Sequence, residues 1–159
     1  MLTFAFYNKK QQGFTLFEIL VVLFLIGILS AISAPNFLGW YRRSQLDYSL
    51  SEVRGALRQA QREAIRRSAI CQVTINAEAS PVTVTSCVST RTLPEPVTVG
   101  FSGGSTITFG FRGNTNNNNT IHFSSEAVTQ QKCLAISMPL GIIREGIYDS
   151  SASPRCQKL

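Results

Sequence analysis

The chain has 159 residues, 44% of them hydrophobic, and carries 15 Lys and Arg against 9 Asp and Glu, a formal charge of +6 at pH 7. That length holds one modest domain and an anchoring segment, which argues against a multidomain enzyme. The basic excess is too small for a polycation, and four widely spaced cysteines with a single histidine and no C-x-x-C argue against a zinc module.

Residues 1–13 contain Lys9 and Lys10 and no acid, so their removal leaves a charge of +4. From Phe14 to Ala34 the run FTLFEILVVLFLIGILSAISA has one charge, Glu18, and matches the ~20 residues a helix needs to cross a bilayer. No basic residue follows until Arg42, so the positive-inside bias puts the N-terminus in the cytoplasm and exports the rest. Three plainer readings compete. A cleavable secretory signal has a passable site at Ala31-Ile32-Ser33, but its apolar core is usually about 7–15 residues, and it leaves Glu18 unexplained. A plain anchor would carry a carboxylate at a cost of about 2.5–3.5 kcal/mol near the bilayer centre and less towards the interface. A buried core helix needs more surrounding protein than the remaining chain supplies.

The stretch Lys10-Gln11-Gln12-Gly13-Phe14-Thr15-Leu16-Phe17-Glu18 resembles the processing signature of type IV prepilins and type II secretion pseudopilins: a basic leader ending in Gly, then Phe, with Glu as the fifth residue after the junction. The resemblance implies cleavage between Gly13 and Phe14 by a membrane prepilin peptidase, N-methylation of Phe14, and storage in the bacterial inner membrane with the head outside the cytoplasm. It also implies that Glu18 meets the Phe14 amine of a neighbouring subunit and sets axial register. Within one helix the two stand at i and i+4, so an intrachain contact is an alternative. Pro35 and Gly39 fall where helices of this superfamily bend or loosen. The expected segments are a cleaved leader (1–13), a transmembrane and filament-core helix (14–38), an amphipathic half of the same stem (39–67) and a β-rich head (68–159).

In residues 39–67, Leu46, Leu50, Val53, Leu57, Ala60 and Ala64 recur at helical spacing and predict a stripe packed on a sheet. A stem from Thr15 to Arg67 would be about 80 Å long at 1.5 Å per residue. Arg54, Arg58, Arg62 and Arg66 form a ladder elsewhere on the helix. A solvated face paired locally with Asp47, Glu52 and Glu63 explains it better than a nucleic-acid surface.

Past Ser68 the period becomes two, and short strands are predicted over 70–76, 82–88, 106–111, 120–124, 133–137 and 142–144, giving an antiparallel sheet. Turns holding Pro81, Pro94-Glu95-Pro96, Gly103-Gly104 and residues 113–119 separate them. The asparagine-rich tract 114–119 reads as a solvated turn. Cys71 and Cys87 fall on consecutive strands; pairing them places Val73 opposite Thr85 and calls for a bulge. Cys133 with Cys156 would staple the tail, with about 3 kcal/mol of loop closure. Spacing does not choose among the three connectivities. The runs Phe109-Gly110-Phe111-Arg112-Gly113, Thr120-Ile121-His122-Phe123, Cys133-Leu134-Ala135-Ile136-Ser137 and Gly141-Ile142-Ile143-Arg144-Glu145-Gly146 are similar to the heads of pseudopilin H and the minor pilins FimT and FimU. The expected fold is therefore α+β and pilin-like, a long N-terminal helix packed on an antiparallel β-sheet head.

His122 is the single histidine, on an alternating strand, and the chain has no phosphate loop, dinucleotide fingerprint or H-E-x-x-H. No catalytic residue, metal or cofactor is expected. The expected role is a minor pilin or pseudopilin of a type IV pilus or type II secretion pseudopilus, with other such subunits, the prepilin peptidase and the inner membrane as partners. The alternative is the DNA capture of FimT-like minor pilins, which the resemblance assigns to basic residues of the C-terminal region, here Arg144, Arg155 and Lys158.

Overall fold

A computed structural model describes residues 13–126 and 128–158, with the side chains of residues 32–36 and 158 outside that description. The expected leader, Gly13 apart, and the side chain of Pro35, the expected bend, lie outside the described residues. The chain divides between Leu38 and Gly39 into two units. One helix, α1 (Leu16–Arg67), forms the described ordered part of the first unit and runs into the second.

Among the described residues of the second unit α1 meets nine strands: β1 (Cys71–Asn76), β2 (Thr83–Ser86), β3 (Thr90–Thr92), β4 (Thr98–Phe101), β5 (Thr106–Phe109), β6 (Asn119–Ser125), β7 (Val128–Ser137), β8 (Ile142–Tyr148) and β9 (Cys156–Lys158). All the described pairings are antiparallel, as expected. They make two sheets where one was predicted, in the orders β3-β2-β1-β5 and β4-β6-β7-β8-β9. The chain changes sheet between β4 and β5 at Gly103-Gly104, and Asn119 fixes that turn. Its Oδ1 accepts from Gly103 N at 3.1 Å and its Nδ2 donates to Gly104 O at 2.6 Å. Gly104 has φ +103° and a Cβ on Gly103 would lie 2.5 Å from Asn118 O, so the turn requires both glycines.

The helical stripe behaves as its spacing predicts. Leu46, Leu50, Val53, Leu57, Ala60 and Ala64 are all buried, with Ala56 beside them. Val73, Ile75, Val84, Ile107 and Phe109 of the first sheet and Ile121, Phe123, Leu134 and Ile136 of the second complete a single core. Each large apolar side chain removed from water there contributes about 1.5–3 kcal/mol. The helix ends in a Schellman motif: Ser68, at φ +50°, donates to Ile65 O at 3.2 Å, and Ala69 N donates to Ala64 O at 3.1 Å. Gln61 then ties the last turns to two loops, its Nε2 donating to Gly113 O at 2.8 Å and Gly141 O at 3.2 Å.

Both cysteine pairs form as weighed in the sequence, Cys71 with Cys87 and Cys133 with Cys156. The β1–β2 register differs by one residue from the predicted one. Val73 faces Ser86 and Ile75 faces Val84, which puts two apolar residues together in the core without a bulge. Cys87 reaches Cys71 because β2 stops at Ser86 and turns: the Ser86 Oγ accepts from Val88 N and Ser89 N and donates to Ser89 O. The asparagine tract is also less solvated than expected, since Thr115 and Asn119 are buried and Asn118 Oδ1 accepts from Met138 N at 2.8 Å.

Candidate assembly site and head surfaces

Gly13, Phe14 and Thr15 lead into α1, which begins at Leu16. Thr15 is its N-cap: Thr15 Oγ1 accepts from Glu18 N at 3.2 Å and Thr15 O accepts from Ile19 N at 3.2 Å. Thr15-Leu16-Phe17-Glu18 therefore has the spacing of a capping box, a signal legible in the sequence. Phe14 precedes the cap and lines one recess of about 220 Å³ with Glu18, Ile19, Val22 and Leu23. Phe14 and Ile19 occupy the two positions of a hydrophobic staple. Glu18 sits in the first helical turn, where the unpaired N–H groups favour a negative charge. The two residues expected to act together thus share one face and one recess. Phe14 N here is a peptide nitrogen, which hydrolysis of the Gly13–Phe14 bond would convert into an amine one residue before the cap.

The large apolar residues from Phe14 to Leu29 are exposed on every side of the helix, among them Phe14 at 78%, Leu16 at 83% and Phe24 at 66%. Among the described residues no helix is long and apolar enough to cross a membrane. The span predicted over residues 14–34 runs into residues 32–36, whose side chains lie outside the description.

On the head, the predicted local pairing of the arginine ladder holds at Glu63, which receives Arg66 Nη2 at 2.6 Å and also Arg67. The hydrogen bond from Arg66 is the main cause holding the Glu63 carboxyl down at about 2. The other acids turn to the sheets instead. Arg54 pairs with Glu145 on β8, Asp47 with Lys132 on β7, and Glu52 with Arg91 on β3 at 2.8 Å. Register explains this, because Lys132 and Glu145 occupy the same inward-facing side of their sheet as Leu134. Arg58 and Arg62 remain exposed.

Arg144 lies opposite Ala135 on the outward face of the second sheet. It lines a groove with Ala135, Ser137, Glu145 and Pro154, and an adjoining groove reaches Arg155 beside Ala135, Ser137 and Pro154. The two arginines therefore border one surface crossed by the tail, while the side chain of Lys158 lies outside the description. Cys133 and Cys156 pin the tail to this face with their Cα atoms 5.8 Å apart. His122 points the same way, stacked on Tyr148 with ring centroids 4.3 Å apart. A Cβ on Gly100 would stand 2.2 Å from its Nε2, so the ring lies directly over that glycine. Desolvation pushes its pKa down, and its buried Nδ1 has no hydrogen-bond partner among the described residues.

Comparison with known proteins adds to the geometry. Residues 8–34 match the prokaryotic N-terminal methylation motif. A fimbrial protein of Pseudomonas aeruginosa is 44% identical over 57 residues, 36% of each chain. The type IV major pilin protein PilA of Myxococcus xanthus is 46% identical over 39 residues, 24% of this chain and 18% of its own. The type II secretion system core protein G of Escherichia coli is 39% identical over 46 residues, 29% of this chain and 32% of its own. These matches span a third or less of the relatives' length, apart from the first at 36%. No solved structure matches the chain at a significant level. With the methylation motif matched over residues 8–34 and a helix packed on antiparallel sheets, the chain is similar in its N-terminal part to type IV pilins and type II secretion pseudopilins and has a pilin-like α+β architecture.

Proposed function

We propose that the chain is a structural subunit, a minor pilin or pseudopilin, of a type IV pilus or type II secretion pseudopilus, without catalytic activity. The observation that carries this reading is the stretch of helix from Leu16 to Leu29, whose large apolar residues are exposed on all sides, directly after the Gly13–Phe14 junction. A surface of that kind demands lipid or other apolar helices around it. Prepilin peptidase cleaves after Gly13 and Phe14 is methylated. The helix is held in the inner membrane with the head outside the cytoplasm, and the chain then passes into a filament of pilin or pseudopilin subunits. Glu18 directs that transfer: its carboxylate is costly in hydrocarbon, and a Phe14 amine of an adjacent subunit offsets the cost only at the correct axial register.

The test is intact mass and N-terminal sequencing of the membrane-extracted chain, made with and without a prepilin peptidase. A peptidase-dependent start at methylated Phe14 supports the reading, and a start near Ala34 or an unprocessed Met1 overturns it. Glu18→Ala should leave processing unchanged and reduce incorporation into filaments at least tenfold.

The head supports a second reading, DNA binding for uptake, through the surface that Arg144 and Arg155 share. Its signature is an affinity that falls steeply with salt and falls again in Arg144→Gln and Arg155→Gln. Of the expected head resemblances, the one to FimT goes with this reading and the one to pseudopilin H with the first.

A further inference from the structure

We infer that Trp40, Tyr41, Arg42 and Arg43 form a collar that seats the membrane-held subunit at the head-side lipid interface and binds anionic phospholipid headgroups; this rests on the anchored-subunit reading above. Four consecutive helical residues step by about 100° each, so these four ring the whole circumference of α1. A helix that only packs on its own head needs one apolar stripe, and that stripe starts later, at Leu46. A ring of Trp, Tyr and Arg suits surroundings that are the same on all sides and change along the axis, as at a bilayer surface. Trp40 is 64% exposed and Tyr41 46%, so the head covers neither ring system fully.

Sequence spacing agrees. Trp40 follows the start of the apolar run at Phe14 by 26 residues, close to the ~20 (about 17–25) that a helix needs to cross a bilayer. The charge argument is independent of this. Cleavage after Gly13 removes Lys9 and Lys10, and no other Lys or Arg occurs before Arg42, so Arg42 and Arg43 become the first cations beside the apolar run. The next two acids along the helix, Asp47 and Glu52, are engaged by Lys132 and Arg91 of the sheets. Cations in that layer attract anionic headgroups by about 1 kcal/mol each, or roughly fivefold.

Trp40 is the only tryptophan, which makes its fluorescence a direct probe. The full chain is reconstituted in vesicles of phosphatidylethanolamine and phosphatidylglycerol, with a trace of phosphatidylglycerol or phosphatidylcholine bearing the same headgroup-region nitroxide. Trp40 should be quenched several-fold more strongly by the labelled phosphatidylglycerol. Arg42→Gln with Arg43→Gln should abolish the difference, and Arg42→Lys with Arg43→Lys should keep it. Equal quenching by the two lipids, or quenching by aqueous iodide alone, overturns the collar while the chain still floats with the vesicles. Shielding of Trp40 that appears only on filament assembly also overturns it and assigns the ring to a neighbouring subunit. A chain that does not float with the vesicles overturns the anchored reading itself.

Discussion

His122 shapes how the head responds to pH. The ring is stacked on Tyr148 above Gly100, and desolvation lowers its pKa from the ordinary 6.5. A folded pKa below the unfolded one means that the unfolded chain binds more protons in that window, so stability rises with pH there. This contribution is complete above about pH 6.5 and is lost as the pH falls through that value towards the folded pKa. Denaturant midpoints of the detergent-solubilised chain should therefore fall between about pH 7.5 and pH 5, and His122→Phe should remove that fall. Glu63 and Asp149, both depressed by hydrogen bonds, from Arg66 and Ser151 respectively, act only below the normal carboxylate range of about pH 4–4.5 and do not mask it. A fall of equal size in His122→Phe would contradict the desolvated placement of the ring. Alternation along 120–124 was enough to assign this residue to a strand. Its stacking partner was not legible, because Tyr148 comes from β8, two strands away in the sheet.

At the scale of elements, the stem was legible from two signals: an apolar run of membrane-spanning length over 14–34, and a 3.6-residue period over 39–67 that survives any arrangement of the sheets that cover it. The six strands with apolar alternation were legible too, though β7 and β8 run several residues further than predicted. The missed strands have identifiable causes. β3 is three threonine-rich residues without a buried alternation, β4 is four residues after a proline, and β9 is three residues held by the Cys133–Cys156 bond. The division into two sheets depends on Asn119, whose amide reaches the Gly103-Gly104 turn from 15 and 16 residues away, and no periodicity reports such a contact. Capping was legible at the N-terminal end of α1, where Thr15 and Glu18 have capping-box spacing, and not at the C-terminal end, which has no glycine or asparagine. At the C-terminal end the Schellman position is taken by Ser68 at φ +50° rather than by glycine, at a cost of about 1–2 kcal/mol for an L residue. Ser68→Gly should raise stability by about 0.5–1 kcal/mol in urea unfolding, and Ser68→Val should lower it by at least as much. A neutral result for both would mean that the helix does not end there.

At the scale of the molecule, the two units draw on different sources of stability. Each member of the buried core, from Leu46 to Ile136, belongs to the second unit, and so do both disulfides and the described ion pairs. The helical part of the first unit contributes no buried apolar side chain among the described residues; from Leu16 to Ala31 its side chains are all exposed. That surface lends the core no buried side chain among the described residues, and the head should not need it to fold. A chain beginning at Gly39 should be monomeric without detergent and should melt within about 4 °C of the full chain in detergent, the shift expected from roughly 1 kcal/mol in a domain of this size. The full chain should associate when detergent is withdrawn. A drop in Tm well beyond that limit would show that residues 14–38 support the head, and the tandem design of a self-sufficient head on an unsatisfied helix would be wrong. If the truncated head is as stable as the full chain, Glu18 and Phe14 can be altered to test assembly without unfolding the head.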